Sequence, residues 1–160
     1  MFWTRLFSGI VLVAIALVSV ILGGTVLFGV IAAISLIGMF ELYRVYQIQR
    51  SPAGFAGYLG AAGYFALLYF GGEAYSLAVL AGAFLLIMAA YVFSFPKIQA
   101  EQAMASFFGI FYLAVMLSYV YLLREGTDGT YLVWLVFFSS WGCDTCAYCA
   151  GRLFGKHKMA

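Results

Sequence analysis

The sequence predicts an all-α polytopic membrane protein of about six transmembrane helices, with both termini cytoplasmic. Three observations lead there. Hydrophobic residues make up 66% of the 160 residues and charged residues 9%, at a mean hydropathy of +1.06. A soluble domain carries about 25% charged residues, so this chain has too little polar surface for water, and the bilayer must be its solvent. The apolar stretches are also punctuated by turn signals at intervals that suit a membrane thickness. Finally, six crossings bring nearly all the basic residues to one side.

The elements follow in order. Residues 6–40 carry no charge. As one helix they would extend about 52 Å, against a hydrocarbon core of ~30 Å. Gly23-Gly24 permits the required turn, giving helices over 6–22 and 25–43. The first is read as retained rather than as a signal peptide, because a second apolar run follows at once with no small-residue cleavage site. The polar segment 44–52, ending in Pro52, is read as a loop. A short, glycine-rich helix over about 57–70 closes at Gly71-Gly72-Glu73. The fourth helix spans about 75–95 and is stopped by Pro96. The fifth covers about 103–123, ending at Arg124-Glu125-Gly126, and the sixth runs from about 131 to Gly151-Arg152.

With the N-terminus inside, Arg5, Arg44, Arg50, Lys97, Arg152, Lys156 and Lys158 share the cytoplasmic side, and Arg124 alone falls outside. This is the positive-inside bias. Tyr43, Tyr46, Tyr91, Tyr121 and Tyr131 lie near expected helix ends, as an interfacial aromatic belt would place them. Glu41 and Arg44, at i and i+3, are spaced to pair. The net charge of +2 is too small to argue for nucleic acid, and no soluble domain or internal repeat is visible. The whole of 1–160 reads as one transmembrane domain.

Asp144 is the one acidic residue inside an expected helix rather than at an end. If the helix continues, it lies about 12 Å deeper than Arg152. A charge there costs about 2.5–3.5 kcal/mol on insertion scales, so such a residue faces a cavity or a partner. On a helix, Ser140, Asp144, Tyr148 and Gly151 share one face, with Thr145 beside them. This polar stripe suits a ligand site; it equally suits a helix–helix contact of small residues, or an Asp144–Arg152 pair, or a helix ending at Gly142. Arg152, Lys156, His157 and Lys158 could hold phosphates, or could simply anchor the chain on anionic lipid. Cys143, Cys146 and Cys149, with His157, have the arithmetic of a zinc site, but in a membrane helix they more naturally replace small apolar residues. Three cysteines in one stretch give no disulfide framework.

The segment from Ser140 to Lys158 resembles bacterial phosphatidate cytidylyltransferase, whose pattern here is W-x-x-D-(T/S)-G-A-Y-x-x-G-(R/K)-x-F-G-K-x-K. Trp141, Asp144, Thr145, Ala147, Tyr148, Gly151, Arg152, Phe154, Gly155, Lys156 and Lys158 fit it. Thr4-Arg5 with Ser8-Gly9, and Phe40 to Arg44, resemble the family's N-terminal start and the end of its second helix. Cys146 departs from the pattern, standing where the family has Gly.

The resemblance implies an enzyme of phospholipid biosynthesis that joins CTP and phosphatidate to give CDP-diacylglycerol and pyrophosphate. It implies Mg2+ held by Asp144, and Ser140, Thr145, Tyr148, Arg152, Lys156 and Lys158 as substrate-binding residues. It implies a multi-pass protein of the inner (cytoplasmic) membrane working on membrane lipid without nucleic acid, and leaves a homodimer open. A Ser-Pro-Lys-Lys-Thr-like segment and a later Lys/Asp/His-Gly-Gly cluster belong to the pattern too, so the chain is expected to be the N-terminal part of such an enzyme, without the C-terminal catalytic part and the second ligand set of the metal site, and not to be active alone. The competing readings are a transporter or channel piece with Asp144 in its path, a truncated non-catalytic module, and a CTP-dependent lipid-alcohol kinase.

Overall fold

The structure is a computed structural model describing the backbone of residues 2–154 and the side chains of residues 7 and 11–151. Among the described residues seven α-helices follow one another: α1 (Phe2–Leu22), α2 (Gly24–Val45), α3 (Pro52–Tyr69), α4 (Ser76–Phe93), α5 (Ala100–Gly109), α6 (Met116–Glu125) and α7 (Gly129–Phe154). A 3-10 turn over Glu73–Tyr75 leads into α4, and a π-helical segment over Ile110–Val115 joins α5 to α6 as one continuous rod. Among the described residues there is no strand. The protein is an all-α polytopic membrane protein. Gly24–Val45, Glu73–Phe93, Ala100–Glu125 and Gly129–Gly151 are each long and apolar enough to cross a membrane, and Val11–Leu22 is a shorter apolar helix.

The chain forms two compact units, Gly24–Tyr121 and the pair of segments Met1–Gly23 and Leu122–Ala160. In the first of these, α3 is the central helix. Nine of its eighteen residues are buried, mostly small ones such as Ala53, Ala56, Gly57, Gly60 and Ala61. In lipid, small side chains let helix backbones approach, and hydroxyls supply interhelical hydrogen bonds. Both devices appear. The Tyr43 hydroxyl donates to the Ser106 carbonyl (2.6 Å), and Ser106 Oγ donates to the Ala53 carbonyl (2.6 Å). Ser118 Oγ donates to the Val115 carbonyl (2.6 Å), so the Tyr64 hydroxyl, 2.9 Å away, is the donor to Ser118. Ser35 Oγ donates to the Leu113 carbonyl (2.8 Å), within the π segment, where the wider turn loosens the helical ladder. Phe28 packs against Phe65, Tyr69 and Tyr121, with ring centroids 5.9, 5.6 and 5.2 Å away.

Several expected boundaries move, each for a local reason. The loop expected over 44–52 shrinks, because α2 continues through Arg44 to Val45 and α3 already starts at Pro52. Proline is tolerated at the first helical position, whose N–H has no intrahelical partner; Ser51 caps the turn by accepting from the Gly54 N–H (3.1 Å). The fifth helix starts at Ala100 rather than 103, because Gln99 and Gln102 form a reciprocal capping box. Tyr43 does not belong to an interfacial belt: it is fully buried, held by its bond to Ser106. Glu41 and Arg44 do pair, at 4.0 Å on an exposed face.

In the other unit, the backbone turns at Gly23, whose φ of +63° suits glycine. Arg124 closes this turn. Its Nε donates to the Val20 carbonyl (3.0 Å), one of the acceptors left bare at the end of α1.

Candidate functional site

α7 carries the residues singled out by the sequence. It is helical without interruption through Gly142 to Phe154, so Ser140, Asp144, Tyr148 and Gly151 share one face. Two turns toward its start, the same line passes through Val133, which is completely buried, and half-buried Phe137. The side that α7 buries at its beginning therefore continues as the polar stripe. Aromatic rings line the approach: Phe137 packs edge-on against Trp141 at 5.3 Å, and Trp134 lies 6.1 Å from Phe138.

From Ser140 onward every described side chain except Gly142 is exposed, including Asp144, Thr145 and Tyr148. Asp144 has no hydrogen-bond or ion-pair partner among the described residues. At Gly151, nothing among the described residues lies within 4 Å of where a Cβ would sit, leaving the backbone there open beside Asp144 and Tyr148. Arg152 lies on the helix two turns beyond Asp144; its side chain is outside the described residues, as are Lys156, His157 and Lys158.

Cys143, Cys146 and Cys149 are free and exposed. At 100° per residue they stand about 100°, 160° and 140° round the helix from Asp144, away from the polar stripe. Among the described residues no three His, Cys, Asp or Glu side chains come together to hold a metal, and His157 lies outside them. A dedicated protein cage is thus not seen there. Mg2+, however, is usually bound through one or two carboxylates plus substrate phosphates. A lone exposed carboxylate with hydroxyls on its own face, as at Asp144 with Ser140 and Tyr148, fits that mode.

The chain matches the model of the cytidylyltransferase family over residues 3–160. The chain belongs to the cytidylyltransferase family. It is accordingly a nucleotidyltransferase of the membrane, with CTP as its nucleotide substrate. No curated protein and no solved structure matches it.

The buried hydroxyl bonds of Tyr43, Ser106, Tyr64, Ser118 and Ser35 that hold this cytidylyltransferase together leave no signal in the sequence. Nothing distinguishes Ser106 from other serines in the sequence; only the approach of α2 and α3 to α5 gives it a role.

Proposed function

We propose that this cytidylyltransferase converts CTP and phosphatidate to CDP-diacylglycerol and pyrophosphate at the cytoplasmic face of the inner membrane, crossing it six times with both termini inside. The reading rests on one observation above all: a chain of this family carries Asp144 on an exposed polar stripe of α7, with no partner among the described residues, two turns before Arg152 and in register with Gly151.

The chemistry suits these residue types. A phosphate oxygen of phosphatidate attacks the α-phosphorus of CTP. The bond from that phosphorus to the oxygen bridging toward the β-phosphate breaks, and pyrophosphate leaves. A phosphomonoester has its second pKa near 6, so the nucleophile is largely ionised at neutral pH and no general base is needed. Charge neutralisation and positioning are needed instead. Asp144 would hold Mg2+, which when bound offsets the charge of the triphosphate. Arg152, Lys156 and Lys158 bind the phosphates, with Arg suited to bidentate contact. Ser140, Thr145 and Tyr148 offer hydroxyls that orient the substrates, and open backbone at Gly151 admits a phosphate close to the helix. The lipid phosphate lies at headgroup depth and CTP comes from water, so the reacting groups meet at the interface.

The whole gene product, purified and placed in lipid vesicles with labelled CTP and phosphatidate, should form CDP-diacylglycerol. Asp144→Asn should lower formation of that product by about 100-fold or more while leaving the protein folded. Full activity of the Asp144→Asn variant would sink the role given to Asp144, and CTP turnover with a different lipid acceptor would replace the substrate.

A further inference from the structure

The unit Gly24–Tyr121 carries a groove of about 440 Å³ lined by Tyr46, from just beyond the end of α2, and by Glu101, Met104, Ala105 and Phe108 of α5. The four α5 positions stand at i, i+3, i+4 and i+7 and so form a single stripe along the helix. Ala105 is buried between the exposed side chains of Met104 and Phe108, making a floor with two walls. Tyr112 extends the wall by stacking on Phe108, with ring centroids 5.2 Å apart and planes 10° from parallel. From Glu101 to Tyr112 the stripe runs about 16 Å along the helix axis.

The mouth of the groove is polar and held in place. Gln102 Oε1 accepts from the Gln99 N–H (3.0 Å), while Gln102 Nε2 donates to the Tyr46 carbonyl (3.1 Å). One amide thus clamps the first turn of α5 against the end of α2, keeping Tyr46 opposite Glu101. Glu101 is exposed in that first turn, where the helix dipole favours a carboxylate. The dipole accounts for its charge but not for the apolar channel beneath it. Arg50 and Lys97, both exposed, lie on the loops at the same end of the unit.

We propose that this groove seats one phospholipid whose headgroup carries a primary amine. The ammonium meets Glu101, the phosphodiester lies toward Arg50 and Lys97, and one acyl chain runs over Met104, Ala105 and Phe108. Charge selects this occupant. Arg50 and Lys97 serve the phosphate of any phospholipid, whereas a headgroup without an amine leaves the Glu101 carboxylate unpaired. Apolar surface that merely faces bulk lipid needs no clamped rim with a carboxylate above a floor. The inference is independent of the reaction, because the groove lies entirely within one unit and uses none of the α7 residues.

The test uses the full chain reconstituted in vesicles of equal phosphatidylethanolamine and phosphatidylglycerol. After extraction in mild detergent, the retained lipid is quantified by mass spectrometry. Phosphatidylethanolamine should be enriched about threefold over the bulk ratio, the range of one exposed ion pair. Glu101→Gln should return the ratio to that of the bulk, and Ala105→Phe should lower retention of both lipids by filling the floor. An unchanged ratio in Glu101→Gln overturns the headgroup assignment. Wild-type retention in a folded Ala105→Phe overturns the groove. Should Ala105→Phe not fold, Phe108→Ala removes an exposed wall instead; undiminished retention in that variant overturns the groove equally.

Discussion

The Tyr43 hydroxyl donates to the backbone carbonyl of Ser106 across 2.6 Å, joining α2 to α5 over 63 residues of sequence. The Ser106 side chain passes the connection on to α3 by donating to the Ala53 carbonyl. Gly57 lies beneath the crossing, and a Cβ there would collide with the Tyr43 hydroxyl and with Ser106 Oγ.

Tyr43→Phe should therefore remove a buried interhelical hydrogen bond and cost about 1 kcal/mol of stability, read as a lower midpoint of thermal unfolding in detergent. Gly57→Ala should cost more, about 1–3 kcal/mol, because a well-packed site must shift. Combining them should cost less than the two losses added, since the first change removes the atom that the second strikes. Strict additivity would mean that Gly57 does not serve the Tyr43 crossing.

At Gly23 and Gly29 the same substitution should act with opposite signs. Gly23 has φ +63°, and its added Cβ would stand 3.3 Å from the Arg124 guanidinium. Gly23→Ala should destabilise by about 1–2 kcal/mol. Gly29 is an exposed position inside α2 with open space around it, and Gly29→Ala should stabilise by about 0.5–1 kcal/mol through reduced backbone freedom in the unfolded chain. Chemical or thermal unfolding of both variants decides this.

Arg124→Lys should not restore what Arg124→Ala loses. The bond to the Val20 carbonyl comes from Nε of a planar guanidinium lying flat against Gly23, and an ammonium at the end of a longer, flexible stem does not reproduce that geometry. Equal unfolding midpoints for the lysine variant and wild type would refute it.

Asp144→Asn should lower the turnover rate by about 100-fold or more, the scale for losing one charge-stabilising group, with the unfolding midpoint unchanged because the residue is exposed. Replacing Cys143, Cys146 and Cys149 together by Ala should leave both turnover and metal content as they are, because the thiols stand on the flank of α7 away from Asp144. Turnover with CTP and phosphatidate, alongside elemental analysis, separates these outcomes.

Much of this architecture is legible in the amino-acid sequence. The Gly23-Gly24 break, the Gly71-Gly72 turn and the stop before Pro96 each follow from a backbone constraint that acts within a few residues. Alignment of Ser140, Asp144, Tyr148 and Gly151 on one face needs only that the helix survive Gly142, and it does. The start of α3 is less legible, because Pro52 ends a helix when inside one but begins one when Ser51 caps it. Tyr43 reads as interfacial because its distance from the helix end is a local quantity, whereas its burial depends on α3 and α5.

The sequence by itself determined that this is a membrane protein made of helices, where most of those helices break, and which face of α7 is polar. Those properties depend on composition, on glycine and proline, and on a period of 3.6 residues, all of which act locally. Only the tertiary structure decided that α3 is the central helix, that Tyr43 and Ser106 join three helices, that the Ile110–Val115 segment is π-helical, and that Gln102 clamps a groove beneath Glu101. Each of these depends on which backbones come close enough to share a hydrogen bond, and residues more than fifty positions apart carry no sequence signal of that approach.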